Sequence, residues 1–285
     1  MIDPVEDRRR LASMLRDLRT DAGLSTTQLA NQLCWSQSKV SKTELGRSLP
    51  QPGDVEAWTR ATGAGAELRA ELVEIATRAA LQVHEWRREL APGRRRKQEE
   101  IQRLEAAASL IRVFAPDVVV GLAQTRPYAE AMFRLGRTVG PSEDLEEVVQ
   151  ARLRRQGVLT DQSKRFELVM GETALWRRLV PAPAMRAQLD RLLKLSMSPN
   201  VALGVIPFDG YEQVHQYHGF AVLGDPDVDD EAIVLAETVT RGITVRTVTE
   251  VKEYIAHFDA LRAAALEGDP LREFLQEVLT QLAAG

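Results

Sequence analysis

Residues 24–50, LSTTQLANQLCWSQSKVSKTELGRSLP, constrain this chain more than any other stretch. Two short segments with helical apolar spacing lie so close together that only a tight turn fits between them. Ser25-Thr26-Thr27-Gln28 has the form of a capping box, in which hydroxyl and carboxamide satisfy each other's backbone donors. It predicts a helix burying Leu29, Ala30 and Leu33. Ser36 predicts a second N-cap, opening a helix to about Leu45 that turns Val40 inward, and Gly46 stops it. The second helix thus begins Gln37-Ser38-Lys39, small, polar and basic, with Ser41 and Lys42 one turn on.

Helical patterns flank this pair. Asp3-Pro4-Val5-Glu6 predicts a capped start and a helix to about Ala22, with Leu11, Met14, Leu15 and Leu18 on one face and Gly23 beyond its end. Pro52 to about Ala61 presents Val55 and Trp58, and 66–90 presents Leu68, Leu72, Ile75 and Ala79. Five helices make residues 1–92 an all-α domain. Ala91-Pro92-Gly93 breaks the pattern and Arg94-Arg95-Arg96-Lys97 follows, so 93–99 read as a basic linker to a second domain, 100–285.

In that second domain Ile101, Leu104, Ala108 and Ile111 keep a 3-4-3 spacing, a helix face for a core or, less simply, a dimer seam. Helical patterns recur near 127–136, 142–158 and 182–197. Short runs rich in Val, Ile and Phe predict strands at Arg165–Met170, Asn200–Pro207, His218–Leu223, Ala232–Glu237 and Ile243–Arg246. Helices over about 250–266 and 270–283 close the chain. The expected fold is α+β: an all-α N-terminal domain, then an α+β domain with a small sheet covered by helices.

Charge divides along the same line. Residues 1–98 carry 17 Lys+Arg against 13 Asp+Glu, and the remainder 20 against 28. The positive balance belongs to the half with the paired helices, a hint of nucleic-acid contact that an ordinary solvated surface would also give. No apolar run approaches the roughly 20 residues of a membrane span, and MIDPVEDRRR lacks a signal peptide's apolar stretch. One cysteine, Cys34, permits no internal disulfide and is expected to be packed. The chain reads as cytoplasmic, with no membrane partner and no cofactor.

Two helices in this layout form a helix-turn-helix, whose second helix offers its first residues to base edges in the major groove. Gln37 suits adenine and Lys39 suits guanine, with Ser38, Ser41 and Lys42 sharing the exposed face. Thr26 and Thr27, at the positive end of the preceding helix, are placed to hold a phosphate, as are Arg47 and Ser48 after the second helix.

Leu24 through Pro50 resembles the helix-turn-helix of the Xre/Cro–C1 class, including Gln28-Leu29-Ala30 and Glu44-x-Gly46-Arg47 followed by Pro50. Cys34 stands where that class usually has a turn glycine, at a cost on the order of 1 kcal/mol if φ is positive. Thr26 replaces its frequent phosphate-binding glutamine. Further on, Phe114 to Thr125 with Tyr128-Ala129 is similar to a PGLLQT-x-x-YA signature of actinobacterial regulators, with Val120 at the proline. Arg152–Gln156, Glu172-x-x-Leu175, Gln188-Leu189-x-x-Leu192, Pro199-Asn200-Val201, Ile206-Pro207-Phe208 and Phe258-x-x-Leu261-Arg262 keep the order of that signature. The resemblance is to antitoxin-like, WhiJ-like regulators. It implies a sequence-specific regulator, a homodimer on double-stranded DNA, whose C-terminal domain receives a small-molecule or protein signal. It also implies an alternative, a protein whose main role is to bind a small neighbour-encoded partner.

Tyr211, His215, His218 and Glu237 fall in a polar, aromatic strand-to-loop region that could line a ligand pocket. As metal ligands, His215 and His218 have only Glu212 or Glu237 as obvious company. Glu172 and Glu237 each end a strand-like run and could form an acid–base pair, but no nucleophile accompanies them, so the chain reads as a non-enzyme.

Overall fold

The structure, a computed structural model, describes residues 4–85, 94–136, 145–212, 214–239 and 241–284. The chain divides into two compact units, residues 1–82 with 244–250, and 83–243 with 251–285. The breaker Ala91-Pro92-Gly93 lies outside the described residues. Arg94–Lys97, assigned above to a linker, instead begin a helix.

In the first unit α1 (Pro4–Asp21), α2 (Thr26–Leu33), α3 (Gln37–Glu44), α4 (Pro52–Ala61) and α5 (Ala66–Ala80) surround one apolar core. The capping box forms in full: Gln28 N–H donates to Ser25 Oγ at 3.2 Å, and Ser25 N–H to Gln28 Oε1 at 2.8 Å. Ser36 Oγ accepts from Lys39 N–H at 3.1 Å. Leu11, Leu15, Leu29, Val40, Val55 and Trp58 are buried without residual exposure, and Trp58 Nε1 donates to the carbonyl of Leu15. Burial of the indole therefore leaves no unpaired donor. The helix expected over 66–90 ends at Ala80, and β1 (Leu81–Glu85) follows. Val83 and Trp86 extend the helical spacing, so here sheet pairing overrides the local pattern.

The second unit is built on a sheet of order β1-β7-β6-β5-β2-β3-β4-β8. Its centre, β2 (Leu110–Ala115), β3 (Arg165–Gly171) and β4 (Val201–Ile206), is parallel, with Leu110 opposite Arg165 and Phe166 opposite Val201. Beyond it β5 (Phe220–Leu223) and β6 (Ile233–Glu237) run antiparallel, β7 spans Arg241–Val245, and the two-residue β8 (Leu266–Glu267) pairs with β4. The parallel strands read almost continuously apolar because helices cover them. These are α6 (Arg94–Ala107), α7 (Arg126–Leu135), α8 (Leu145–Arg155), α9 (Thr173–Trp176), α10 (Ala182–Leu195), α11 (Val248–Ala263) and α12 (Gly268–Ala284).

The 3-4-3 spacing over 101–111 does not mark one helix. α6 stops at Ala107, and Ala108 and Ile111 reach the core from the connection and from β2. Asp229 fixes the change of direction: it accepts from Ser109 N–H at 3.2 Å and from Ser109 Oγ at 2.7 Å.

Cys34, expected to be packed, is exposed and left-handed, at φ 56° and ψ 37°. The short turn requires this, because its N–H must fold back onto the carbonyls of Ala30 and Asn31 to close α2. The left-handed conformation costs a non-glycine residue roughly 1–2 kcal/mol, more than the roughly 0.5–1 kcal/mol of chain entropy that glycine forfeits. Cys34→Gly should therefore raise stability by about 0.5–1 kcal/mol in urea denaturation; an unchanged or lower midpoint would contradict this.

Candidate nucleic-acid interface

α3 divides its residues sharply. Val40 and Thr43 are buried, whereas Gln37 and Ser38 are exposed and Ser41 and Lys42 half-buried. Thr27 is exposed, and Thr26 accepts a 3.1 Å hydrogen bond from Gln37 Nε2. That bond joins the first residues of α2 and α3, so both helix N-termini sit at one place, where their partial positive charge favours phosphate. After α3, the N–H groups of Arg47 and Ser48 both donate to the carbonyl of Lys42, at 2.8 and 3.2 Å, and the Arg47 side chain is exposed.

Lys39 stands apart from the other expected base readers. Its Nζ lies 3.0 Å from Asp54 Oδ1 and 4.0 Å from the centroid of the Trp35 ring. Its charge ties α3 to α4 rather than projecting beside Gln37 and Ser38.

The orientation of α3 is set by a residue the sequence gave no reason to single out. Arg19, on α1, grips Glu44 bidentately through one guanidinium edge, Nε to Oε1 at 2.5 Å and Nη2 to Oε2 at 3.0 Å, and Nη1 donates to the carbonyl of Leu24 at 2.6 Å. One side chain thus holds α1, the start of α2 and the end of α3. Both partners are mostly buried, and the hydrogen bond to Glu44 holds the Arg19 pKa above its ordinary value against the opposing effect of burial.

In the second unit a cavity of about 700 Å³ lies among α6, α7, α8 and the strands β2, β5 and β6. Glu237 lines it; His215 and His218 do not. Those histidines are exposed and belong to an aromatic cluster in which Tyr217 lies 4.5 Å from His215 and 5.3 Å from His257, ring centre to ring centre. The side chain of Tyr211 lies outside the described residues. Among the described residues no group of three or more His, Cys, Asp or Glu is arranged to hold a metal, and no helix is long and apolar enough to cross a membrane.

Residues 98–277 match the family described as a domain of unknown function, DUF5753, and residues 10–72 match a helix-turn-helix domain family. The first match spans more than half of the chain. The chain belongs to the DUF5753 family. It carries an N-terminal helix-turn-helix domain ahead of the DUF5753 domain. No curated protein matches it. A solved structure of TrmBL2, an archaeal chromatin protein with a novel mode of DNA binding, aligns over 76% of this chain and 69% of its own, at 11% identity. The TM-score of 0.34 is too low to argue from.

Within the DUF5753 domain, signature residues far apart in sequence converge on one loop, residues 119–125. Gln188 Nε2 donates to the carbonyl of Ala123, and its Oε1 accepts from Thr125 N–H at 2.7 Å. Gln156 Nε2 donates to the carbonyls of Gly121 and Gln124, and Arg191 to that of Ala123. Val119 N–H donates to the buried Tyr128 hydroxyl, whose pKa burial raises. Glu172 is occupied structurally, accepting from Trp176 Nε1 and from Phe208 N–H, both at 2.8 Å. It does not meet Glu237, since β5 and β2 lie between β6 and β3.

Glu44→Ala should cost about 2 kcal/mol, the range for a hydrogen bond to a buried charge left unpaired, with a double-mutant cycle to Arg19→Ala assigning most of it to the pair. A cycle showing additive losses would contradict the clamp. For His257, burial and then the charges of His215 and His218 lower the pKa, so the unfolded chain takes up the proton first. That contribution to stability is present above pH about 6.5 and is lost as pH falls below it. His257→Gln should flatten the decline in thermal midpoint between pH 7 and 5; an unchanged slope would exclude His257 as its source.

Proposed function

We propose that this protein is a sequence-specific DNA-binding transcriptional regulator that reads the major groove with α3. The observation that carries this reading is the exposed N-terminal face of α3, where Gln37 and Ser38 are exposed beside the start of α2. Gln37, Ser38, Ser41 and Lys42 read base edges, while Thr26, Thr27, Arg47 and Ser48 position the helix on the backbone. Lys39 serves mainly to anchor α3 to α4 through Asp54, and reaches guanine only by releasing that carboxylate. Lys42 and Arg47 supply salt-sensitive attraction to the phosphates. Two copies bind half-sites one helical turn apart, and the DUF5753 domain dimerises and receives the signal, as in the antitoxin-like, WhiJ-like regulators of actinobacteria that the sequence resembles.

Fluorescence anisotropy with DNA from upstream of the gene, against scrambled DNA at two salt concentrations, tests this. Specific binding should be tighter by about a thousandfold or more. Gln37→Ala should cost about 1–3 kcal/mol on the specific site and relax its discrimination, whereas Arg47→Ala should weaken both DNAs alike and reduce the salt slope by about one. Equal binding of the wild type to upstream and scrambled DNA, or no binding at low salt, would overturn the reading and favour the partner-binding alternative.

A further inference from the structure

The floor of the 700 Å³ cavity is a row of neighbouring side chains on three adjacent strands. Val113 pairs with Ala221, and Ala221 with Leu235. All three are only half-buried although their strands are interior to the sheet. The roof carries Phe133 and, from α8, Arg152 and Arg155. A helix-covered sheet normally fills such a face with side chains; here the small Ala115 and Ala221 leave it open.

The two arginines are treated differently. Arg155 is neutralised by Glu105, with Nε–Oε2 at 2.7 Å and Nη2–Oε1 at 2.8 Å. The nearest partners of Arg152 are neutral, Gln98 Oε1 at 2.7 Å, Gln124 Oε1 at 3.0 Å and the Phe133 ring at 4.9 Å, while the carboxylates of Glu237 and Glu105 act on it from further away. Among the described residues no carboxylate oxygen comes within 4 Å of it. Gly121 packs closely against it: a Cβ there would stand 2.5 Å from Nη1. Protein surrounds the guanidinium closely enough that burial, and then the like charge of Arg155, push its pKa down to about 9. The group stays charged at pH 7, at a cost that a bound anion would relieve.

We propose that this cavity binds a small amphipathic carboxylate, its head on Arg152 and its apolar body on the Val113–Ala221–Leu235 floor. The guanidinium matches a carboxylate, the volume suits a small molecule, and an apolar floor facing a few polar groups is the usual division of labour in such sites; Lys97, Glu105, Asp117, Arg155 and Glu237 also line the cavity. This assignment rests on the reading of the DUF5753 domain as the signal-receiving part.

Calorimetric titration of the full chain without DNA, using octanoate, octanol and octylamine, tests it. Octanoate should bind at one site at least about ten times more tightly than octanol, the smallest step expected of a charge-assisted pair, and octylamine more weakly than either. Arg152→Gln should bring octanoate down to the octanol level. Leu235→Trp, which fills the floor and leaves the polar network untouched, should remove octanoate binding while the thermal transition persists. Equal affinities for the three, no octanoate binding, or wild-type octanoate binding in Leu235→Trp would each overturn the proposal, even if Arg152→Gln fails to fold. Loss of octanoate binding with specific DNA binding intact counts against the cavity alone. Loss of DNA specificity with octanoate binding intact counts against the DNA-reading proposal alone.

Discussion

The grip of Arg19 on Glu44 and on the carbonyl of Leu24 is the contact on which the presentation of α3 depends. An eight-residue helix has little stability of its own in water, so its direction must come from its neighbours. Val40 anchors it from below, Asp54 holds Lys39 at its first turn, and Arg19 holds its last residue. With both ends fixed, Gln37 and Ser38 are exposed on a rigid support, and rigidity is what turns side-chain chemistry into selectivity.

The DUF5753 domain uses polar groups in a comparable way. Gln156, Gln188, Arg191 and Tyr128 pair with backbone groups of residues 119–125, so a short irregular segment can lie against the core with those groups satisfied. Arg152 joins that frame through Gln124 but also faces the cavity, which makes it both a support and a charge with no carboxylate within ion-pair distance among the described residues. A charge held where water is scarce is costly as structure alone, and becomes useful once it has something to bind.

Much of the first unit was legible because its signals are local. Ser25 with Gln28, Ser36, Gly23 and Gly46 mark helix limits through bonds spanning three or four residues. The exposed set on α3 follows from the burial of Val40. The Arg19–Glu44 pair spans 25 residues and Lys39–Asp54 spans 15, and no periodicity links such partners. In the second unit, apolar runs located β3 to β7, but β2 was hidden because Ala108 and Ile111 happen to continue a helical stripe from α6. Glu237 was singled out for its place at the end of a strand. The residues that make its cavity notable, Arg152 and the half-covered row on β2, β5 and β6, emerge only when helices and sheet are assembled.

The single cysteine offers the most direct test of the central claim, that α3 enters the major groove. Cys34 is exposed and stands two residues before the Ser36 cap of α3. An iron chelate attached to its thiol would cleave DNA within reach of the turn. On the upstream fragment, the account requires cleavage confined to a few nucleotides on each strand, repeated about one helical turn away for the second protomer. Uniform cleavage along the fragment, or none under conditions where the labelled protein is bound, would place α3 away from the groove and contradict it.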